Sequence, residues 1–385
     1  MCIRDSDHSY QATRFSVKFN QSPPDCTMSF LISLIIIVVV LWAIEYFYLH
    51  GGSKMEYPAP ADPNVVQVFE NLPGFGPQQV AINEAVLELT RQMAITTRKH
   101  DIRASRALID SVSGGRQFNC EFIPTDAGGV PAEWVMAPGA ESSCRLLYIH
   151  GGGFIMGSPK SHRSITSRFA EITGCAVLAI DYRLLPENKH ADCIEDCRNA
   201  YQWILENGPD GPGDIRQLFI SGDSAGGNLS LSVIAWARDE SMQMPDAVVA
   251  ISPLTDFTFS GPSIRGKEST DIMLKPVLGP LNKLPRFIRS LWMLWTHRMR
   301  PSNPVASPLL GDLSGLPPIL VQASEAEMLV DDARQYVYKA YASGTPAQLQ
   351  TWTDMVHVFQ IFNPELPQAE EAWMEIGKFL NSFSH

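Results

Sequence analysis

The sequence predicts an α/β protein whose mainly parallel sheet is covered by helices on both faces. From Arg145 onward, strand-like apolar segments alternate with helix-like segments, as expected for successive βα units. At Leu218–Ile220, a strand-like run leads through a glycine-rich turn directly into the helix-like segment 228–236. The chain has 385 residues, and a domain of about 300 residues is enough to form one large core.

The glycine-rich turn is Gly222-Asp223-Ser224-Ala225-Gly226-Gly227. A G-x-S-x-G sequence between a strand and a helix is typical of a nucleophile elbow, in which a serine hydroxyl projects above the sheet. The flanking glycines let the strand and helix approach each other without a collision of Cβ atoms. The positive end of the helix faces the serine, where negative charge develops during acyl transfer. The pattern indicates Ser224 as a nucleophile, and a purely structural turn is the alternative.

A second glycine-rich segment lies upstream of this elbow. The strand predicted at Cys144–Ile149 runs into His150-Gly151-Gly152-Gly153-Phe154, which matches the HGGG loop of esterases and lipases. We expect the N–H groups of Gly152 and Gly153, together with that of Ala225, to form an oxyanion hole. A flexible glycine turn is the alternative, but the position at the end of a strand favours the catalytic interpretation.

An acid and a histidine are expected to follow the serine in that order. His357 comes shortly after the strand predicted at 347–352 and precedes apolar residues, a context that suits a general base. A buried structural histidine is the alternative. After the strand predicted at 318–323 come Glu325, Glu327, Asp331 and Asp332. The sequence pattern alone leaves the choice of acid open.

The ordered motifs resemble the hormone-sensitive-lipase family of α/β-hydrolases, also called bacterial family IV esterases. The resemblance runs from about Arg145 to the C-terminus and rests on the segments His150–Phe154, Asp181–Glu187, Gly222–Gly227, Ser252–Asp256, Ala306–Leu309 and His357–Phe359. It implies an α/β-hydrolase fold with a Ser-His-acid triad. Matching by position places the acid at Glu327, where the family often has aspartate, and gives Asp331 a supporting role. Leu185 stands where the family usually has alanine.

Two segments outside the regular alternation correspond to the cap that covers the active site in this family. The first is helical, at Gln78–Lys99, within a region 51–110 predicted to be a linker and N-terminal cap helices. The second is an insertion at about 257–301 within the catalytic domain 111–385. It carries Leu291–Trp295, whose tryptophans are expected either to pack the cap onto the core or to contact substrate.

The resemblance implies a serine carboxylesterase that hydrolyses short- to medium-chain acyl esters through an acyl-enzyme. A membrane-associated lipase, a deacetylase or an amidase of the same fold is the alternative. A non-catalytic ligand-binding member, like the plant gibberellin receptors, is disfavoured because those lose the histidine present here as His357. No cofactor or metal is expected. Cys193 and Cys197 lie four residues apart, but no nearby Cys/His pair completes a zinc site.

Near the N-terminus, Phe30–Tyr48 is almost wholly apolar and ends in aromatic residues. At about 1.5 Å per residue it is just long enough to cross a bilayer. We therefore predict a single membrane anchor at 28–50, with a cleavable signal peptide as the main alternative. Lys54, Arg14 and Lys18 give little charge bias, so the side of the membrane is not predicted.

The first residues have a separate explanation. Met1–Ser6 can be encoded by a sequence that resembles the end of a transposase-based sequencing adapter. Residues 1–27 are therefore expected to be a non-native or disordered leader, with Met28 as the native start.

The net charge of −11 and the lack of a Lys/Arg stripe in the sequence argue against nucleic-acid binding. The sequence makes no prediction of the oligomeric state.

Overall fold

The computed structural model describes residues 26–49, 56–70, 76–99 and 101–383, so the leader predicted at 1–27 lies almost entirely outside the described residues. The chain divides into two units, Met1–Ile44 and Glu45–His385. In the first unit, helix α1 spans Cys26–Ala43 and is followed by a short π-helical segment, Ile44–Leu49. Phe30–Leu49 is long and apolar enough to cross a membrane, a test that a signal sequence near the N-terminus also passes.

Among the described residues, the second unit is built on a nine-stranded sheet. In chain order the strands are β1 (Val66–Phe69), β2 (Glu121–Asp126), β3 (Pro131–Met136), β4 (Glu141–Ile149), β5 (Cys175–Ile180), the separate ribbon β6 (Asn207–Gly208) and β7 (Gly211–Pro212), β8 (Gln217–Asp223), β9 (Ala247–Ile251), β10 (Ile319–Ser324) and β11 (Ala347–Trp352). Their order across the sheet is β1-β11-β10-β9-β8-β4-β5-β3-β2. The first seven strands of that row, β1-β11-β10-β9-β8-β4-β5, are parallel to one another. Strand β3 is antiparallel to both of its neighbours, β5 and β2. The predicted mainly parallel sheet is confirmed.

Helices cover both faces of this sheet, as predicted. They are α2 (Pro77–Arg98), α3 (Ile102–Asp110), α4 (Arg163–Thr173), α5 (His190–Glu206), α6 (Ala225–Asp239), α7 (Ser263–Gly266), α8 (Lys275–Asn282), α9 (Arg286–His297), α10 (Val330–Ala342) and α11 (Pro367–Asn381). Because alternate strand residues point to opposite faces, Leu146 and Tyr148 of β4 belong to a core with α4 and α11. Leu147 and Ile149 belong to the core with α5, α6 and α10. Each face of the sheet therefore has its own buried core.

Strand β1 lies in the region predicted as a linker, yet it is part of the main sheet. Val66 pairs with Leu349 and Phe69 pairs with Trp352 of β11, and the rings of Phe69 and Trp352 stack with centroids 4.4 Å apart. A strand of four residues is at the lower limit for recognition from an alternating pattern. Its place in the sheet comes from pairing with a strand almost three hundred residues away.

The two segments predicted to form the cap are helical. Helix α2 packs Ile82 and Val86 against Trp352 and the loop residues Met355 and Val356, close to the end of β11. The insertion supplies α7, α8 and α9. Trp292 and Trp295 of α9 are exposed, so they do not pack the cap onto the core.

Candidate active site

Ser224 lies at the junction of β8 and α6 with a positive φ of 51°, a backbone conformation that costs free energy for a residue with a side chain. Its N–H donates to the Ile251 carbonyl at 2.8 Å, which holds the turn against β9. A Cβ on Gly222 would lie 2.6 Å from the Ile149 carbonyl oxygen, and one on Gly226 would collide with that same oxygen. Only glycine at both positions lets the helix approach the sheet so closely.

The Ser224 hydroxyl is hydrogen-bonded to His357, which in turn contacts Glu327. The Ser224 Oγ to His357 Nε2 distance is 2.9 Å, and the His357 Nδ1 to Glu327 Oε2 distance is also 2.9 Å. His357 and Glu327 are buried. Each pair lies inside hydrogen-bond reach, in the order that a Ser-His-acid triad requires.

Two hydrogen bonds from residues at strand ends fix the segment that carries His357. Ser324 Oγ donates to the Met355 carbonyl at 2.6 Å, and Val358, which has a φ of 54°, donates its N–H to Ser252 Oγ at 3.4 Å. These contacts come from residues at the ends of β9 and β10. The backbone on both sides of His357 is therefore held in place.

The segment that carries Glu327 is tied to the cap insertion. Asp271 is buried and accepts the N–H of Met328 at 2.8 Å through one carboxylate oxygen. Its other oxygen accepts the N–H of Leu274 at 2.8 Å, at the start of α8. One cap carboxylate thus links helix α8 to the residue that follows Glu327.

Burial and the hydrogen bond between His357 and Glu327 shift the pKa of each residue in opposite directions. Burial lowers the pKa of His357, but the hydrogen bond and negative charge of Glu327 outweigh it, so the pKa of His357 is raised above its usual value. Burial raises the pKa of Glu327, and the hydrogen bond to His357 opposes that rise. An imidazole with a raised pKa is a stronger base for the hydroxyl proton of Ser224.

The other three candidate acids lie away from the imidazole. Asp331 accepts the N–H of Ser263 at 2.7 Å and pairs with Arg334 at 3.1 Å. Glu325 pairs with the same Arg334. Asp332 accepts the N–H groups of Thr255 and Asp256. Of the four carboxylates left open by the sequence, Glu327 alone contacts His357 within the described residues.

The glycine loop His150–Phe154 follows β4 beside the elbow. Gly152 has a φ of 110° and Gly153 a φ of 63°, and a Cβ on Gly152 would collide with the Met156 carbonyl oxygen. Within the part of the chain that the structure describes, we find no acceptor for the N–H groups of Gly152, Gly153 or Ala225. These donors remain available to an oxyanion.

Asp223 supports this loop, and sequence reasoning did not assign it a role. Its carboxylate accepts the N–H of Gly151 at 2.9 Å and the hydroxyl of Tyr148 at 2.5 Å, and it lies 3.4 Å from the buried ring of His162. Burial raises the pKa of Asp223, but the charge of His162 and the hydrogen bonds from His162, Tyr148 and Gly151 together outweigh it, so the pKa is lowered overall. The signal available in the sequence was an acidic residue directly before the nucleophile, at the end of a buried strand.

His150, the first residue of the glycine loop, has a structural role. Its Nδ1 donates to the Gly151 carbonyl at 2.7 Å, and its ring stacks on Tyr182 at 4.4 Å. Burial and the neighbouring His162 lower the pKa of His150 to about 3, so the ring is neutral at ordinary pH. Its contacts brace the loop.

A second support comes from the cap helix α3. Arg106 donates to the carbonyls of Ile155 and Leu185, both at 2.9 Å. Its guanidinium also forms two hydrogen bonds with Glu187, at 3.0 and 2.8 Å. Arg106 thus connects α3 to the segment after the glycine loop and to the glutamate of the Asp181–Glu187 motif.

The cysteines belong to the core. Cys193 and Cys197 on α5 are free and buried in the core, and Cys144 is disulfide-bonded to Cys175 on the neighbouring strand. No group of three or more His, Cys, Asp or Glu side chains among the described residues is placed to hold a metal ion.

Comparison with known proteins identifies the family. A family model described as the alpha/beta hydrolase fold matches residues 146–361. The chain is 36% identical to an acetyl-hydrolase from Streptomyces hygroscopicus over 304 residues, or 77% of this chain and 96% of that protein. It is 32% identical to the carboxylesterase/phospholipase LipF of Mycobacterium tuberculosis over 255 residues, or 65% of this chain and 66% of LipF.

Solved structures agree with this assignment. An esterase of the bacterial hormone-sensitive lipase family superposes with a TM-score of 0.69 at 35% identity, covering 80% of this chain and 99% of that one. The esterase EstE5, soaked with p-nitrophenyl butyrate, superposes with a TM-score of 0.67 at 32% identity, with the same coverage. The chain therefore belongs to the α/β-hydrolase family and, within it, to the hormone-sensitive-lipase family.

Proposed function

We propose that this carboxylic ester hydrolase is a serine carboxylesterase that acts through Ser224, His357 and Glu327. The observation that carries the proposal is the continuous hydrogen-bonded chain from the Ser224 hydroxyl through His357 to Glu327. The adjacent glycine loop, with its available N–H groups, supports the same reaction class. The names of the relatives, which include acetyl-hydrolase and carboxylesterase, agree with ester hydrolysis.

The mechanism follows from the role of each residue. His357 Nε2 takes the hydroxyl proton while Ser224 Oγ attacks the ester carbonyl carbon. Glu327 orients the imidazole and stabilises its cation. The N–H groups of Gly152, Gly153 and Ala225 bind the oxyanion, and one such donor is worth about 3 kcal/mol of transition-state stabilisation. His357 then gives the proton to the departing alcohol, and an acyl-enzyme remains on Ser224.

Hydrolysis of the acyl-enzyme completes the cycle. His357 removes a proton from a water molecule, and the resulting hydroxide attacks the acyl carbonyl through a second oxyanion in the same hole. The carboxylic acid leaves and Ser224 regains its proton. The chemistry uses side chains and backbone N–H groups only.

Short- to medium-chain acyl esters are the proposed substrates. The relatives named above support this class, since one is an acetyl-hydrolase and one was soaked with a butyrate ester. A membrane-associated lipase is the second candidate. It is favoured by the apolar stretch Phe30–Leu49, which we propose to be a single uncleaved membrane anchor, and by the similarity to a carboxylesterase/phospholipase.

An ester series tests the proposal. The full chain in detergent is assayed with p-nitrophenyl esters from acetate to laurate, beside Ser224→Ala and the surface variant Ser382→Ala as a control. We expect Ser224→Ala to lose about four or more orders of magnitude in kcat, Ser382→Ala to keep full activity, and turnover to peak at the shorter esters. Undiminished hydrolysis by Ser224→Ala would refute the mechanism, and a peak at laurate would favour the lipase.

A further inference from the structure

Helix α9 of the cap carries its large apolar side chains on the outside. Its buried residues are Arg289, Ser290, Met293 and His297. The exposed ones are Ile288, Leu291, Trp292 and Trp295, with 46, 38, 40 and 66% of their surface accessible. Their spacing of i, i+3, i+4 and i+7 places all four on one helical face. This arrangement is the reverse of an ordinary surface helix, which turns its apolar stripe toward the core.

Arginine and tryptophan meet at the end of this apolar face. A shallow depression is lined by Leu291, Leu294, Trp295 and Arg298, and the Arg298 guanidinium lies 5.7 Å from the centroid of a Trp295 ring. Tryptophan prefers the headgroup level of a bilayer, and arginine can keep its charge in water while its stem covers apolar surface. The composition is that of a helix lying in a membrane interface.

The charge of the cap differs in sign from that of the whole chain. Residues 272–311 contain no Asp or Glu but six basic residues: Lys275, Lys283, Arg286, Arg289, Arg298 and Arg300. The full chain has a net charge of −11. Arg289 is buried and Arg286 pairs with Glu45, whereas the other four basic residues are exposed. Their positive charge beside an exposed apolar face attracts anionic phospholipid.

The residues at the end of the apolar stretch are held against both ends of α9. Glu45 pairs with Arg286, the first residue of α9, through contacts of 2.6 and 2.7 Å. The Tyr48 carbonyl accepts a hydrogen bond from Ser302 Oγ at 2.9 Å, and the Arg300 guanidinium lies 4.8 Å from the Tyr48 ring centroid. Glu45 and Tyr48 belong to the last turns of Phe30–Leu49, so the end of that stretch, within the second unit, lies beside α9.

From this arrangement we infer that α9 lies in the interface of a bilayer containing anionic phospholipid, as a membrane contact additional to the anchor. The inference rests on the proposed membrane anchor. It favours lipid-soluble esters as substrates, because the cap would face the membrane in which such esters dissolve. A second copy of this chain is the competing occupant of the apolar face.

Tryptophan quenching by brominated lipids tests the contact directly. The full chain carrying Trp42→Phe, which removes the tryptophan of the apolar stretch, is reconstituted into vesicles of brominated phosphatidylcholine with or without phosphatidylglycerol. We expect strong quenching that is larger with phosphatidylglycerol. Adding Trp292→Phe and Trp295→Phe should abolish most of the quenching, and adding Arg298→Glu and Arg300→Glu should remove the effect of phosphatidylglycerol.

Each contrary result has a distinct meaning. Equal quenching with and without Trp292 and Trp295 would overturn the interfacial contact. Blue-shifted emission without quenching, together with chemical cross-links between chains, would assign the face to a second copy and also overturn it. Release of the chain from vesicles by alkaline carbonate would refute the anchor, whereas the quenching readout does not depend on esterase activity.

An activity ratio provides a second readout. The full-length double variant Ile288→Gln/Trp295→Gln is compared with Met374→Gln, which changes an equally exposed apolar residue on α11. The rates are measured with an ester carried in vesicles and with water-soluble p-nitrophenyl acetate. We expect the ratio of the first rate to the second to fall several-fold in the double variant and not in Met374→Gln. An unchanged ratio in both variants would count against the proposed lipid-soluble substrates.

Discussion

Ser224 combines a positive φ of 51° with a hydroxyl that is hydrogen-bonded to an imidazole. The strained backbone lifts the side chain off the sheet, and the imidazole provides the base that a serine hydroxyl needs to become a nucleophile. Glu327 fixes the other side of the same ring at 2.9 Å. Three residues far apart in the sequence therefore meet in one chain of hydrogen bonds.

Exchanging the acid tests its assignment. Glu327→Gln keeps the size of the side chain but removes the charge that stabilises the imidazolium, so we expect kcat to fall by about three to four orders of magnitude. Asp331→Asn is the matched control, since Asp331 pairs with Arg334 instead of His357. Steady-state kinetics on p-nitrophenyl acetate decides between them. An inactive Asp331→Asn beside an active Glu327→Gln would move the role of acid to Asp331.

The pH dependence of catalysis follows from the raised pKa of His357. A protonated imidazole cannot accept the Ser224 proton, so kcat/KM should fall as the pH falls through a pKa above the ordinary histidine value. Glu327→Gln removes the charge that raises this pKa, so the acidic limb should move to lower pH while the maximum rate drops. A pH profile of kcat/KM for both proteins measures the shift. An acidic limb at the same pH in both would show that Glu327 does not set it.

At the level of elements, the elbow and the glycine loop interlock. The Gly151 N–H and the Tyr148 hydroxyl of β4 meet the Asp223 carboxylate of β8, so the loop that carries the N–H donors is braced by the strand that carries the nucleophile. Gly226 completes the fit by bringing α6 against the Ile149 carbonyl. The two glycine-rich motifs form one rigid unit.

A methyl group at Gly226 tests this packing. Gly226→Ala must displace α6 or β4, and we expect a loss of about 2 kcal/mol or more in the free energy of unfolding together with loss of esterase activity. Gly266→Ala in α7 is the control, because its Cβ would meet open space. Thermal unfolding and an ester assay on both variants make the comparison. Equal stability and activity in the two would contradict a tightly packed elbow.

The sequence was most informative where local chemistry fixes the structure. The elbow, the glycine loop and the strands before Glu327 and His357 carry glycine and apolar patterns that can be read within a few residues. It was less informative where the structure depends on distant partners. Strand β1 exists through its pairing with β11, and the support that Asp223 gives to Gly151 depends on β4 and β8 lying side by side.

The exposed tryptophans illustrate a further limit. The run Leu291–Trp295 left open whether its tryptophans pack the cap onto the core or contact substrate. The structure turns the polar residues Arg289, Ser290 and His297 inward and leaves Trp292 and Trp295 outside. Which face of α9 is buried depends on how the whole cap packs.

In the whole molecule, parallel strands bring the candidate site together. The carboxyl ends of parallel strands meet at one edge of an open sheet. The glycine loop follows β4, Ser224 follows β8, Glu327 follows β10 and His357 follows β11. Buried cores on both faces of the sheet hold these strand ends in place.

Covalent labelling of the nucleophile tests the central claim most directly. The full chain is treated with a fluorophosphonate, which phosphonylates an activated serine, and the adduct is located by mass spectrometry of peptides. We predict one adduct per chain, on Ser224, formed in step with the loss of esterase activity and absent from His357→Ala. Labelling of a different serine with the same loss of activity, or complete labelling of Ser224 without loss of activity, would contradict the account.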